Sequence, residues 1–283
     1  MSSEPTHGSD VAGLASRAVR DGDEWVVNGQ KVWTSLAHNS AYGMLLVRTN
    51  PEVPKHRGLS YFVLDMKSPG VEIRPLYQIT GDAEFNEVFF TDVRVPHENL
   101  LGEVGDGWRV ATTTLMNERV ALGGSTAPKG SGTISVLKNL WDKRGPELPD
   151  DKRRIMADQV AQLWIEAEVL RLTTIRARSN ASTGNPGPEG SIGKLAGAEL
   201  NQRIWNTTMD LLGPEAMVHE SGYPLDRATP SAPSATKGFL RSQANTIEGG
   251  TSDIMRNILG ERVLGLPGDV RVDKDVAWKD IPS

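Results

Sequence analysis

Small residues and hydroxyls crowd the segment Ser3-Glu4-Pro5-Thr6-His7-Gly8-Ser9-Asp10. A turn of that composition can aim backbone N–H groups at an anion or a flat ligand, although an ordinary Ser/Gly-rich stretch reads the same way. A second segment, Lys31-Val32-Trp33-Thr34-Ser35, sets an aromatic wall beside two hydroxyls, which suits a planar ring. It equally describes a core Trp followed by a strand-end turn. The third is Ile247-Glu248-Gly249-Gly250-Thr251-Ser252-Asp253-Ile254. Its glycines allow close backbone approach, and Thr251 or Ser252 is placed to cap a following helix. Such a helix start offers N–H donors to an anionic or electron-rich group, or is simply a capped helix.

The elements that must position these segments divide into β first and α second. Trp25-Val26-Val27, Asn28-Gly29 and Gln30–Trp33 predict a hairpin turning at Asn28-Gly29. Strand-like runs follow at Gly43–Thr49, Leu59–Met66, Val71–Pro75 and Glu87–Phe90, punctuated by Pro and Gly. Helical spacing begins after Asp106-Gly107, with Val110, Leu115, Val120 and Leu122, and Gly123–Gly132 interrupts it. A long helix is predicted over Pro149–Asn180, with Asp150-Asp151 in its first turn and Ile155, Val160, Leu163, Trp164, Ala167, Leu170 and Ile175 on its apolar face. Ser191–Leu212 predicts another, stopped by Gly213-Pro214, and Ser252–Leu264 a last one. Pro224–Gly238 reads as a loop and the polar residues after 268 as an irregular arm. The expectation is an α+β chain: a small β-barrel over 1–105, a helical bundle over 106–268 and an arm over 269–283.

Composition narrows the function. The 283 residues are 38% hydrophobic and 24% charged, enough for a sizeable core. A net charge of -5 leaves no basic excess for phosphate backbones, which argues against nucleic-acid binding. The absence of Cys removes disulfide frameworks, Cys-type zinc sites, iron–sulfur clusters and thiol nucleophiles. No apolar run reaches the ~18 residues of a membrane span, and the start lacks the pattern of a secretory signal. A cytoplasmic protein is expected.

Taken together and in order, the motifs resemble the acyl-CoA dehydrogenase family. They are Ser-Glu-Pro-x-x-Gly-Ser-Asp, Gly-x-Lys-x-Trp-Thr-Ser, the run Phe89 to Asn99, and Gly-Gly-Thr-Ser-Asp-Ile-x-Arg, spread from Ser3 to about Pro267. The resemblance implies a β-barrel followed by a four-helix bundle, with FAD held between them and across a subunit interface. It implies the chemistry of acyl-chain β-oxidation: a carboxylate takes the α-proton of an acyl-CoA thioester, and the β-hydrogen leaves as hydride to flavin. Electrons then pass to an electron-transfer flavoprotein. Such a reaction needs fixed donors at the thioester oxygen and a base in a dry pocket.

Residue by residue, the resemblance places Ser3, Gly8, Trp33, Thr34, Ser35, Thr251 and Ser252 at flavin contacts. Gly213 falls where a neighbouring subunit's backbone meets the adenine end. Ser9 and Arg119 match positions near the acyl-CoA, and the Gly249 N–H matches a donor to the thioester oxygen. One branch of the family carries its base directly before the Gly-Thr pair, where this chain has Gly249. Another carries it on the first bundle helix before an Arg, which matches Glu118 in Asn117-Glu118-Arg119-Val120. Glu118 is therefore the preferred base and Glu248, one residue early, the runner-up. Each also suits a plain structural charge. No metal is expected.

Two departures stand out. Family members carry an N-terminal helical domain ahead of the Ser-Glu-Pro motif, and this sequence lacks it. The expectation is an open acyl cleft, explained by a late-starting gene model, a partner chain or an inactive fragment. The Arg-x-x-Phe-Gly run of many members is also missing, with Arg144-Gly145-Pro146-Glu147-Leu148-Pro149 in its place. A non-catalytic subunit and a flavin oxidase on the same fold are the competing readings. A homo- or hetero-oligomer is expected by resemblance.

Overall fold

The computed structural model describes residues 3–122, 128–181, 190–218, 234–271 and 273–281. Strands β1 (Arg17–Asp21), β2 (Glu24–Ser35), β3 (Tyr42–Arg48), β4 (Leu59–Asp65), β5 (Val71–Leu76) and β6 (Phe85–Pro96) form one mixed sheet in the order β4-β3-β1-β2-β6-β5. Neighbours run antiparallel except β1 and β3, which meet in parallel at Arg17 and Arg48. One face buries Trp25, Val27, Leu45, Val47, Phe62, Leu64, Val88, Phe90, Val93 and Val95. These alternate along their strands, as side chains on a pleated sheet must.

The Asn28-Gly29 hairpin is corrected by the structure. The chain turns at Gly22-Asp23, where Gly22 takes φ +63, and β2 runs unbroken through Asn28 and Gly29. The positive φ belongs to the facing strand. Asp92 sits at φ +48 in a β6 bulge, and the Asn28 amide bonds both the Asp92 carboxylate and its backbone N–H, at 2.9 and 3.0 Å. Gly29 is required for another reason: a Cβ there would lie 2.3 Å from Ser16 Oγ.

A second cluster, on Ala12, Leu14, Leu46, Leu59, Tyr61 and Ala111, packs the segment after Asp10 and the start of α1 (Gly107–Leu122) against β3 and β4. Helices α2 (Thr133–Arg144), α3 (Asp150–Ala181) and α4 (Gly190–Leu212) share a core of Ile134, Leu137, Val160, Leu163, Leu200, Ile204 and Leu211. The shorter α5 (Ala235–Ser242) and α6 (Ser252–Ile258) pack on α4, and α6 continues into a π-type turn, Leu259–Val263. On α3 the buried stripe runs through Met156, Val160, Leu163, Ala167 and Leu170. Ile155 lies one residue, about 100° of helix, off that stripe and is 64% exposed. Most of the loop expected over Pro224–Gly238, its residues 224–233, lies outside the described residues, and its last part opens α5.

The chain separates into two compact units. One holds the sheet, the first half of α1 and residues 269–283; the other holds residues 116–268 with 79–81. Among the described residues no helix is long and apolar enough to cross a membrane.

Candidate active site

In the sheet unit, the first two motifs are physically joined. Pro5-Thr6 forms a turn closed by reciprocal backbone bonds between Glu4 and His7, at 3.0 and 3.1 Å. The Ser3 carbonyl accepts from the Val32 N–H at 3.0 Å. Beneath the turn, the buried Glu4 carboxylate accepts from Lys31 Nζ (2.7 Å) and from the N–H groups of Ala15 (2.7 Å) and Ser16 (3.0 Å). Lys31 has no solvent exposure at all. Burial pushes the Glu4 carboxyl up, but Lys31 and the N–H donors outweigh it and hold the group below the ordinary carboxylate range. Burial dominates at Lys31, whose ammonium is pushed down to about 8 despite Glu4. The candidate ligand contacts Gly8 and Ser9 lie exposed on the turn, and a Cβ on Gly8 would meet nothing within 4 Å.

Lys31 belongs to the buried face of β2 with Trp25 and Val27. The strand then breaks step. Lys31 pairs with Val88 and Thr34 with Asn86, so Val32 and Trp33 together face the single residue Glu87. Trp33 adopts φ +58, a conformation costing an L-residue roughly 1–2 kcal/mol. The bulge turns the indole out to 59% exposure, with an edge contact to Phe85 at 6.0 Å between ring centroids. Local strain spent on presenting an aromatic face is a feature of ligand sites rather than of cores. Trp33→Gly is therefore expected to hold or raise the thermal midpoint. Loss of a buried Trp would instead cost about 3–5 kcal/mol, and a marked fall in midpoint would make the ring structural. The next residue, Thr34, gives its carbonyl to Asn86 Nδ2 at 3.1 Å, but its buried hydroxyl has no partner. Ser35 is exposed.

In the helical unit, the Gly249-Gly250 loop is anchored from α4 and α5. Lys194 Nζ donates to the Asn245 carbonyl (2.6 Å), Asn201 to the Asn245 side chain (2.7 Å) and Gln202 to Thr246 Oγ1 (3.1 Å). Glu248 receives both guanidinium arms of Arg241, at 3.0 and 2.8 Å, and the Asn245 amide at 2.7 Å. Partial burial pushes its carboxyl up, yet Arg241 and Asn245 prevail and hold it below its ordinary value. That is the opposite of what a general base needs. Gly249 and Gly250 both take positive φ, +63 and +100, and a Cβ on Gly250 would strike Met255 Cε at 2.5 Å. Thr251 caps α6, its hydroxyl accepting from the Ile254 N–H at 3.1 Å. Ser252 Oγ is buried without a partner.

Glu118 and Arg119 lie on α1, and their side chains are outside the described residues. Gly213, at φ +62, directly follows α4, whereas Lys194, Asn201 and Gln202 come from its first thirteen residues. At 1.5 Å per residue, Gly213 stands roughly 17 Å beyond Gln202 along the axis, away from the Gly249 loop. The stretch after α2 forms a short 3-10 turn, Gly145–Glu147, and Arg144 pairs with Glu215. Sequence reasoning missed the Glu4–Lys31 pair and the Arg241 clamp. The first had a signal: a lysine at an inward position of an alternating strand demands a buried counter-charge. The second had none, because α5 was not foreseen.

Among the described residues, the buried side-chain polar atoms left without a partner are Thr34 Oγ1, Gln78 Nε2 and Ser252 Oγ. Two of the three fall in the motifs singled out by the sequence. Such groups await a partner, since an unmet buried hydroxyl costs about 1–3 kcal/mol.

Residues 1–93 match the family described as acyl-CoA dehydrogenase, middle domain, and residues 105–264 the acyl-CoA dehydrogenase, C-terminal domain. The chain is 41% identical over 266 residues to the acyl-CoA dehydrogenase FadE34 of Mycobacterium tuberculosis, covering 94% of this chain and 34% of that protein. It is 38% identical over 270 residues to the acyl-CoA dehydrogenase IpdE1 of the same organism, covering 95% and 66%. Among solved structures it resembles a chain of the ChsE4–ChsE5 complex from Mycobacterium tuberculosis, with TM-score 0.77 and 33% identity over 95% of this chain and 68% of that one. The chain thus spans about a third of one of these relatives and about two thirds of the others.

Proposed function

The chain belongs to the acyl-CoA dehydrogenase family, and on that footing we propose that it takes part in FAD-dependent α,β-dehydrogenation of an acyl-CoA thioester to the trans-2-enoyl product. The family is FAD-dependent in general and acts on acyl-CoA. The observation that carries the reading is the two buried hydroxyls without a partner among the described residues, Thr34 Oγ1 beside the positive-φ Trp33 and Ser252 Oγ at the start of α6. Both are donors of the kind the polar edge of a flavin ring accepts, so the residues present fit the cofactor.

In this reading Trp33, Thr34, Ser35, Thr251 and Ser252 hold the flavin, with Ser3 and Gly8 lining its approach and Gly213 serving a neighbouring subunit's cofactor. FAD, when bound, supplies the acceptor for the β-hydrogen as hydride. Glu118 removes the α-proton. Gly249, free of a side chain and fixed by the anchored loop, offers its N–H to the thioester oxygen, where charge develops. Ser9 and Arg119 border the acyl-CoA. Glu248 serves as the loop's anchor through Arg241. Electrons leave to an electron-transfer flavoprotein. A second chain is the expected partner, as in the ChsE4–ChsE5 complex. The exposed row Ile165, Val169 and Leu172 on α3 supports such an assembly.

The test is the visible spectrum of the purified chain, before and after anaerobic addition of straight-chain, branched and ring-bearing acyl-CoAs. A flavin spectrum bleached by one of them is the expected result. A bound flavin that no acyl-CoA reduces would mark a non-catalytic subunit. Fast reoxidation in air with peroxide would mark an oxidase. A colourless protein that takes up no added FAD would overturn the cofactor assignment for this chain.

A further inference from the structure

The polar arm after residue 268 is packed over Asp273–Ile281, and the contacts of that segment converge on one place. The Trp278 indole N–H donates to the Gly13 carbonyl at 2.9 Å. The Trp278 ring lies under the buried Arg48 guanidinium, 4.4 Å from ring centroid to charge centre. Arg48 in turn donates to the carbonyls of Ala12 (2.5 Å), Leu14 (3.2 Å) and Lys55 (3.0 Å). Gly13 is also the surface on which His7 of the first motif rests, since a Cβ there would lie 2.4 Å from the His7 ring. A second line of contact runs through charge. Lys55 Nζ bridges Asp273 (2.6 Å) and Asp10 (2.9 Å), the last residue of the motif. Backbone bonds from Trp278 to Val53 and from Lys279 to Pro51 fix the arm to the loop carrying Lys55.

We propose that the segment Asp273–Ile281 is a brace for the Ser3–Asp10 turn, with Trp278 and Asp273 as positioning residues that set how that turn meets its ligand. The inference rests on the flavin reading for the ligand's identity but not for the brace itself. The argument is one of propagation. The turn hangs from Glu4 below and from His7 and Asp10 at its far side. Glu4 is satisfied within the sheet unit, by Lys31 and the N–H groups of Ala15 and Ser16. The residues under His7 and Asp10, Gly13 and Lys55, each take one contact from the arm. Removing the arm's contacts frees the far side while leaving the Glu4 anchor intact, so the turn loosens without the sheet unfolding.

The test compares the full chain with Trp278→Ala, Trp278→Phe and Asp273→Asn by hydrogen exchange without ligand and by fluorescence titration with FAD. In Trp278→Ala the amides of residues 3–16 should exchange about tenfold faster, from loss of one buried hydrogen bond and one cation–π contact, and FAD should bind about tenfold more weakly. The amides of Val88–Val95 in β6, in the same unit as the turn, should be unchanged. Trp278→Phe keeps a ring under Arg48 and loses only the N–H, so an effect of about threefold is expected; it is read the same way if the Ala variant does not fold. Parent-like exchange at residues 3–16 would overturn the brace. Equal acceleration in β6 would also overturn it, by showing only general destabilisation of the sheet unit. Faster exchange with unchanged FAD affinity would overturn the link between brace and ligand. A parent chain that binds no FAD would overturn the flavin reading instead, and the exchange data would then decide the brace alone.

Discussion

Glu118→Gln is expected to leave FAD binding intact and to slow flavin bleaching by acyl-CoA on the order of 10^3-fold. The amide is isosteric but cannot take a proton, and a positioned general base contributes on the order of 10^2 to 10^4 in rate. Glu248→Gln supplies the comparison. Its carboxylate is occupied by two Arg241 arms and the Asn245 amide, so its replacement loosens the loop that carries the Gly249 N–H. The expected signature is weaker acyl-CoA or FAD binding, with the pH profile of bleaching unmoved. Stopped-flow bleaching across pH separates the two roles. A Glu248→Gln protein that loses the chemical step beside a Glu118→Gln protein that keeps it would reverse the assignment.

The second large effect is on stability. Lys31→Met is expected to cost about 3–5 kcal/mol, because it leaves the Glu4 carboxylate buried without its counter-charge. That is a large share of the about 5–15 kcal/mol that holds a typical domain together. The urea midpoint should fall sharply, and, on the proposed flavin reading, flavin binding with it, since Glu4 and Lys31 join the Ser3–Asp10 turn to β2. Adding Glu4→Gln to Lys31→Met should recover part of the loss, the mark of a coupled pair. The pH dependence has a definite sign. Glu4 is held below its unfolded value of about 4.5, so its stabilisation is complete above that pH and fades as pH falls through the folded value. Acid unfolding followed by fluorescence should be shallower in Glu4→Gln than in the parent. An identical acid limb in both would show that the pair contributes nothing there.

Strands β3 to β6 and the long helices were legible because their side chains alternate or recur with the period of the element. The misreadings have particular causes. Asn28-Gly29 carries the residues of a tight turn, but the chain uses Asn28 as a side-chain clamp on the Asp92 bulge and Gly29 as a clearance for Ser16. Ile155 looked like part of a face that passes one residue away. The helix α2 follows a glycine-rich interruption, and α5 has only eight residues, too short for a period to show. The site motifs were legible as compositions. What was hidden was their dependence on groups far off in the chain: Lys31 reaching Glu4, Arg241 reaching Glu248, Trp278 reaching Gly13. Ion pairs and single hydrogen bonds leave no periodic trace, so only the folded chain discloses them.

The Trp278 contact with Gly13 spans 265 positions of the chain, and this bears on the order of events during synthesis. When residues 3–16 leave the ribosome, the arm that supports them does not yet exist. The whole helical unit is made in between. Closing a flexible loop of that size costs about 5 kcal/mol in chain entropy, a cost that folding of the intervening helices reduces. Support of the Ser3–Asp10 turn thereby waits until residues 273–281 have been made, and a nascent chain stalled before residue 273 holds a sheet whose turn lacks the Trp278 and Asp273 contacts.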